Sequence, residues 1–258
     1  MDSMIVRERN QELILIQQDH HAAISGDIVK QWKKDYFLGD DLRSSVEFAA
    51  YQHDCGWKEF DKQPFLNDKE AIPYSFFDFP ILPKIVLYKH GIDVVQQVDS
   101  YAALLCSEHY KRFLLNHTSL EAQEFVTAEN TRQQSIIATL NELNKRLFNF
   151  HYGLIQFSDN LSLYLCLNEP GIAMNAGHSF FKDGIPMNQA LHEFCDEHLQ
   201  LHWKNENTVV LDDFPFEQPF DVVIKQKAIP KADLSAKGLI ASYEEATFEE
   251  WNVTITTL

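Results

Sequence analysis

The sequence predicts a mainly α protein: a helical core with a small β-sheet annex drawn from the N- and C-terminal segments. Three observations predict it. Apolar residues recur at helical spacing through most of residues 19–167. Segments rich in Val, Ile and Thr gather near the two ends. The chain has 258 residues with 45% hydrophobic side chains, enough for one substantial core. One unit, 1–258, is therefore expected, with helices over 19–167 and β structure at 1–18 and 205–258.

Met4 to Gln17 reads as two short strands about a turn at Arg9-Asn10-Gln11. At Asp19 the period becomes helical, and Asp19 can cap a helix reaching about Trp32. Gly39-Asp40-Asp41 is a break. Ser44, with Glu47 three residues on, fits a capping box. It opens a helix with Val46, Ala49, Ala50, His53 and Trp57 on one side and Gly56 at its C-terminal end. Residues 60–83 hold Pro64, Pro73, Pro80, Pro83 and many Phe, the pattern of an ordered loop packed by aromatic rings.

A helix is expected over 83–90 and another from Asp93 to about Asn116, with Val98, Ala102, Leu105 and His109 on one face. Thr118-Ser119-Leu120-Glu121 is a second capping-box candidate. The long helix it opens would carry Ile136, Leu140, Leu143 and Leu147 in a stripe. His151 to Leu167 is apolar almost all round Asp159, which places that helix centrally. Past Gly171 the signal weakens to a helix over 186–203 and strands at 208–211, 220–226 and 251–258. The β signals at the two ends could meet as one small sheet.

A formal charge of −16 excludes nonspecific binding to a nucleic-acid polymer and makes an anionic membrane surface a poor partner. A small phosphate compound stays open if a metal ion supplies positive charge locally. Cys55, Cys106, Cys166 and Cys195 form no CxxC pair and read as reduced thiols. With no leader-type segment and no apolar run of about 20 residues, the expected location is cytoplasmic. G-x-S-x-G, P-loop and G-x-G-x-x-G motifs are absent. His198 and His202 lie four apart in "HLQLH", which lacks the Glu of a zinc-protease helix.

Four places put a metal-ligand side chain in an otherwise apolar helix: His20, the pair His53-Asp54, His109 and Asp159. Each alone has an ordinary structural explanation. A lone His is often a hydrogen-bonded core residue, Asp159 could pair with Arg146, and His53-Asp54 could simply end a helix. Together they suggest more, because an unpaired buried carboxylate costs several kcal/mol, roughly, and one divalent cation would satisfy all of them. Imidazole nitrogen with carboxylate oxygen suits Mn, Fe, Zn or Mg.

The segments "AAYQHDCGW" and "FSDNLSL" resemble the two ligand-bearing helices of the HD-domain superfamily, an all-helical fold of metal-dependent phosphohydrolases. "QQDHHAAISG", "HDCGW", the D-x-x-P at Asp61 and "SEHY" together resemble a bacterial family of unknown function with an HDxGW signature. The resemblance implies an HD-like helical core in which His20, His53, Asp54 and Asp159 bind a divalent metal, with His21 an alternative to His20. It implies a hydrolase acting on a small phosphorylated compound, such as a nucleotide. Asp54 would bridge or orient water, and His109 would protonate a leaving oxygen or hold phosphate. Asp61 and the aromatic loop would wall the pocket, and Lys58 and Arg112 are nearby cations for substrate. Trp57 stands where such proteins usually carry Lys. An HD-type di-iron oxygenase and a non-catalytic ligand-binding module are the alternatives.

Overall fold

The computed structural model describes residues 4–140, 143–194 and 197–258, so Cys195 lies outside the described residues. The chain opens with the hairpin β1 (Ile5–Arg9) and β2 (Glu12–Ile16). Its turn places Asn10 at φ 53°, in the left-handed region that Asn tolerates. Next comes α1 (Gln18–Lys30). Its first turn is capped from a distance: the Gln18 N–H donates to the Asp61 carboxylate at 2.7 Å. Asp19, the expected cap, lies inside the helix and pairs with Lys58 at 3.5 Å.

The second helix, α2 (Arg43–Gln52), is followed by a 3₁₀ turn at Cys55–Trp57. No side chain caps α2, so the proposed capping box at Ser44 is not formed. Gly56 serves close packing rather than a left-handed helix end. A Cβ there would sit 2.3 Å from the Leu87 carbonyl oxygen. The aromatic loop follows as expected, pinned by a two-residue ladder between β3 (Leu66–Asn67) and β4 (Ile72–Pro73).

Then come α3 (Ile81–Gln96), α4 (Ser100–Leu114), α5 (Leu120–Thr139) and α6 (Lys145–Leu167). Asp99 caps α4 and Ser119 caps α5. The expected stripe through Leu147 spans two helices, because α5 stops at Thr139 and Asn144 caps a new one.

The remaining elements are β5 (Ile185–Pro186), β6 (His198–Leu199), β7 (Leu201–Asn205), β8 (Thr208–Leu211) and β9 (Phe220–Pro230). After them lie α7 (Lys231–Lys237), α8 (Leu239–Glu245) and β10 (Phe248–Thr257).

The mainly α, HD-like architecture with a small annex is corrected by the sheet. Six strands join in the order β1-β2-β9-β10-β8-β7, making a large, curled sheet. β10 pairs antiparallel with β9 and parallel with β8. The fold is mixed, and the sheet is a full layer. The expected helix over 186–203 is also corrected. Leu199, Leu201 and Trp203 are buried while Gln200 between them is exposed, which is the period of a strand. His198 and His202 therefore share no helix face.

One face of the sheet carries the main core, which includes Ile14, Ile16, Val222, Ile224 and Val253. α1 lies against β9 and is flanked by α2 and α6. On the other face Leu13, Leu15 and Ile229 pack with Leu239 and Tyr243 of α8 in a smaller core. That double burial explains why Leu13 to Ile16 reads as a continuous apolar run.

Candidate metal centre

Four helical segments converge on one cluster. α1 supplies His21, the end of α2 supplies His53 and Asp54, α4 supplies His109, and α6 supplies Asp159. All five side chains are buried. The close approach of α1 and α2 depends on Gly26, where a Cβ would overlap the Tyr51 ring.

His21 Nε2 lies 3.0 Å from Asp159 Oδ1 and 3.8 Å from Asp54 Oδ2. His53 Nε2 lies 3.5 Å from Asp54 Oδ2 and 3.6 Å from Asp159 Oδ1. The two Nε2 atoms are 3.3 Å apart. His109 Nε2 stands further out, 4.0 Å from Asp159 Oδ2. Ligand groups fall out as His21, His53 and Asp159, and as His53, Asp54 and His109.

A second layer fixes these rings. His53 Nδ1 bonds to the Ala50 carbonyl at 2.8 Å, which leaves Nε2 as the ring's lone-pair nitrogen when neutral. Ser162 donates to the Asp159 carbonyl at 2.9 Å and accepts from His21 Nδ1 at 2.7 Å. In a neutral His21 ring Nε2 is then the lone-pair nitrogen as well. Tyr110 donates its hydroxyl to Asp54 Oδ1 at 3.1 Å, leaving Oδ2 turned to the histidines.

With both rings neutral, two imidazole lone pairs and two carboxylate oxygens meet in a buried space. They repel unless a proton or a cation lies among them. The titration behaviour follows. Burial alone would lower the His53 pKa, but Asp54 and hydrogen bonding to Asp159 outweigh it and raise the value to about 9. Burial would raise Asp159, but hydrogen bonds from His21 and His53 hold it well below the usual carboxylate range. His109 goes the other way: burial pushes it down to about 4, against the pull of Asp159.

The donor set fits a divalent ion. Bonds of about 2.0–2.2 Å set neighbouring ligand atoms roughly 3.0–3.6 Å apart. The contacts among His21, His53, Asp54 and Asp159 run from 3.0 to 3.8 Å.

The cluster forms the floor of a cavity of about 220 Å³, with His21, Asp54, His109 and Asp159 in its lining. Phe76, Phe77, Phe113 and Phe180 supply aromatic walls, and Gln18 and Asn160 supply amides.

Among the predicted site residues, His53, Asp54, His109 and Asp159 come together here. His20 does not. It sits one residue off the inward face of α1, edge-on to the Phe248 ring at 5.2 Å, and His21 takes the position in the cluster. Asp61 is the distant cap of α1 and is absent from the cavity lining. Lys58 is mostly exposed beside Asp19. Arg112 pairs with Glu108 at 2.8 Å and covers the Tyr152 ring. Phe76 and Phe77 belong to the aromatic loop expected to wall the pocket, whereas Ser162, Tyr110, Gln18, Phe113 and Phe180 went unread in the sequence. Ser162 stands three residues after Asp159 and Tyr110 directly follows His109, the only local signals they leave.

No curated protein and no solved structure matches the chain. One family model does, described as "Protein of unknown function (DUF3891)", over residues 4–231. The match spans every residue of the cluster, and the chain belongs to this DUF3891 family of unknown function.

Proposed function

We propose that the protein is a hydrolase of a small molecule that works with one divalent metal ion at this cluster. The observation that carries the reading is the convergence of two imidazole Nε2 atoms and two carboxylate oxygens at ion-binding separations. A bound ion would polarise the bond to be broken and lower the pKa of a water beside it. The chain's own groups do the rest. Asp54, steadied by Tyr110, orients that water. His109, at the cavity wall beside Asp159, would take a water proton and pass it to the leaving atom.

The two ligand groups share His53, and its Nδ1 is committed to Ala50. One ion is therefore favoured over two, which weakens the di-iron oxygenase alternative. A phosphorylated substrate has less support than the ligand order suggested, because Lys58 and Arg112 lie away from the cavity. A small-molecule partner and a cytoplasmic location stay within the proposal. Unbridged Cys55, Cys106 and Cys166 agree with that location, and no helix among the described residues is long and apolar enough to cross a membrane.

The test is elemental analysis of protein purified without added metal or tag nickel, beside four variants. Near-stoichiometric Mn, Fe, Zn or Mg is expected in the parent, in His20→Ala and in His198→Ala. Asp54→Ala and His21→Ala should lose it. No metal in the parent, even after incubation with each ion, would leave the ligand-binding module as the reading.

A further inference from the structure

We infer that the cavity takes a small, uncharged, planar ring bearing an N–H group: a cyclic amide, urea or imide. The position of the scissile bond rests on the metal-centre reading above, while recognition of the ring does not.

Three features of the cavity point to this class. First, among the described residues no Lys or Arg lines it. An ion on two carboxylates leaves the floor close to neutral, so a dianionic group would lose its hydration without a charge partner. Second, the walls are flat and apolar. Phe77 is 41% exposed, Phe113 50% and Phe180 53%, an unusual gathering of wet aromatic rings around a buried polar floor. Phe77 is held in place by stacking on His178, with the planes 13° apart, and Phe113 by an edge contact with His109. Rings fixed in this way offer faces and edges to another ring at little entropic cost.

Third, Gln18 is 2% exposed, and its side-chain oxygen has no hydrogen-bond partner among the described residues. Native proteins seldom leave such an acceptor unmet, and Gln18 lines this cavity. A turn of the amide would bring that oxygen to a ligand N–H, which would satisfy it. The volume of about 220 Å³ lies below the roughly 300–1,000 Å³ typical of drug-sized ligands and limits the body to about one ring.

Hydrolysis of such a ring needs only water. The water oxygen bonds to the ring carbonyl carbon, the C–N bond breaks, and its electron pair stays on nitrogen. The nitrogen receives the proton that His109 removed from the water, so a cyclic amide opens to an amine and a carboxylic acid, an imide to an amide and a carboxylic acid, and a urea to an amine and a carbamic acid.

The experiment is calorimetric titration of the full chain, metal-loaded, with uracil, 1,3-dimethyluracil, phenyl phosphate and inorganic phosphate. Uracil should bind, and both phosphates should bind more weakly. The dimethylated ring, lacking N–H, should bind at least about 10-fold more weakly than uracil. Gln18→Leu should remove that preference. Phe77→Ala and Phe180→Ala should each weaken uracil roughly 2- to 10-fold with unchanged metal content. Phe60→Ala, an exposed ring absent from the lining, should change nothing. Tighter binding of either phosphate than of uracil, or equal binding of the two uracils, would overturn the inference. Repeating the uracil titration on the Asp54→Ala variant separates the two claims. Ring binding that survives loss of metal upholds the recognition, even if the metal reading fails in the parent.

Discussion

Replacing Ser162 by Ala should weaken metal binding without touching a ligand. The Ser162 hydroxyl accepts from His21 Nδ1 at 2.7 Å, and His21 is 1% exposed, so no water can take over. An abandoned buried N–H costs about 1–3 kcal/mol. The ring can escape that cost by turning, which moves Nε2 out of the cluster. Loss of a supporting partner of this kind lowers metal affinity about 10- to 100-fold, or roughly 1.4–2.8 kcal/mol. The two estimates agree. The assay is urea unfolding with and without metal, at a free ion concentration about 100 times the parent's Kd. The ion should stabilise the parent by about 2.7 kcal/mol and the variant by only about 0.4–1.4 kcal/mol. Equal stabilisation of the two proteins would refute the argument that Ser162 sets the His21 ring.

Gly56→Ala should destabilise the fold by at least about 2 kcal/mol, read as a lower urea midpoint, because the new Cβ would meet backbone at Leu87 and Gly91 rather than a movable side chain. It should also weaken the metal site, since Asp54 is two residues away. Lys84 is fully buried, with its amine unpaired among the described residues and its pKa lowered to about 7 by burial alone. Between pH 7 and about 10.5 the unfolded chain holds a proton there that the folded chain lacks, so stability should rise with pH across that window and be flat below it. Lys84→Met should abolish this rise and stabilise the protein at pH 7 by up to roughly 4 kcal/mol, as measured by urea unfolding at several pH values.

The site was more legible than the fold. His53, Asp54, His109 and Asp159 stand out because each interrupts an apolar helix, a local signal that survives errors in helix ends. His20 and His21 are a different matter. They lie about 100° apart on one turn, and only packing against α2 and α6 decides which faces inward. The cap of α1 could not be read locally either, since its acceptor, Asp61, stands 43 residues on. β9 was recognised over 220–226 but runs to Pro230, where Ile229 turns to the smaller core on the outer face. The segment from 186 to 203 misled because its scattered apolar residues fit a helix nearly as well as a strand, and only the alternation at Leu199, Leu201 and Trp203 separates the two.

The place of β10 in the sheet has a consequence for synthesis. It lies inside the sheet, bonded to β9 on one side and β8 on the other. During translation every residue of the cluster has left the ribosome well before residues 248–257 exist. Until those residues arrive, β8 and β9 each present an open edge, and β7–β8 is a hairpin with no place in the sheet. Open edges of this kind attract other chains. The nascent protein should therefore be most prone to aggregation, and most dependent on chaperones, in the interval between the emergence of β9 and that of β10, and slowing translation there should lower the yield of soluble protein.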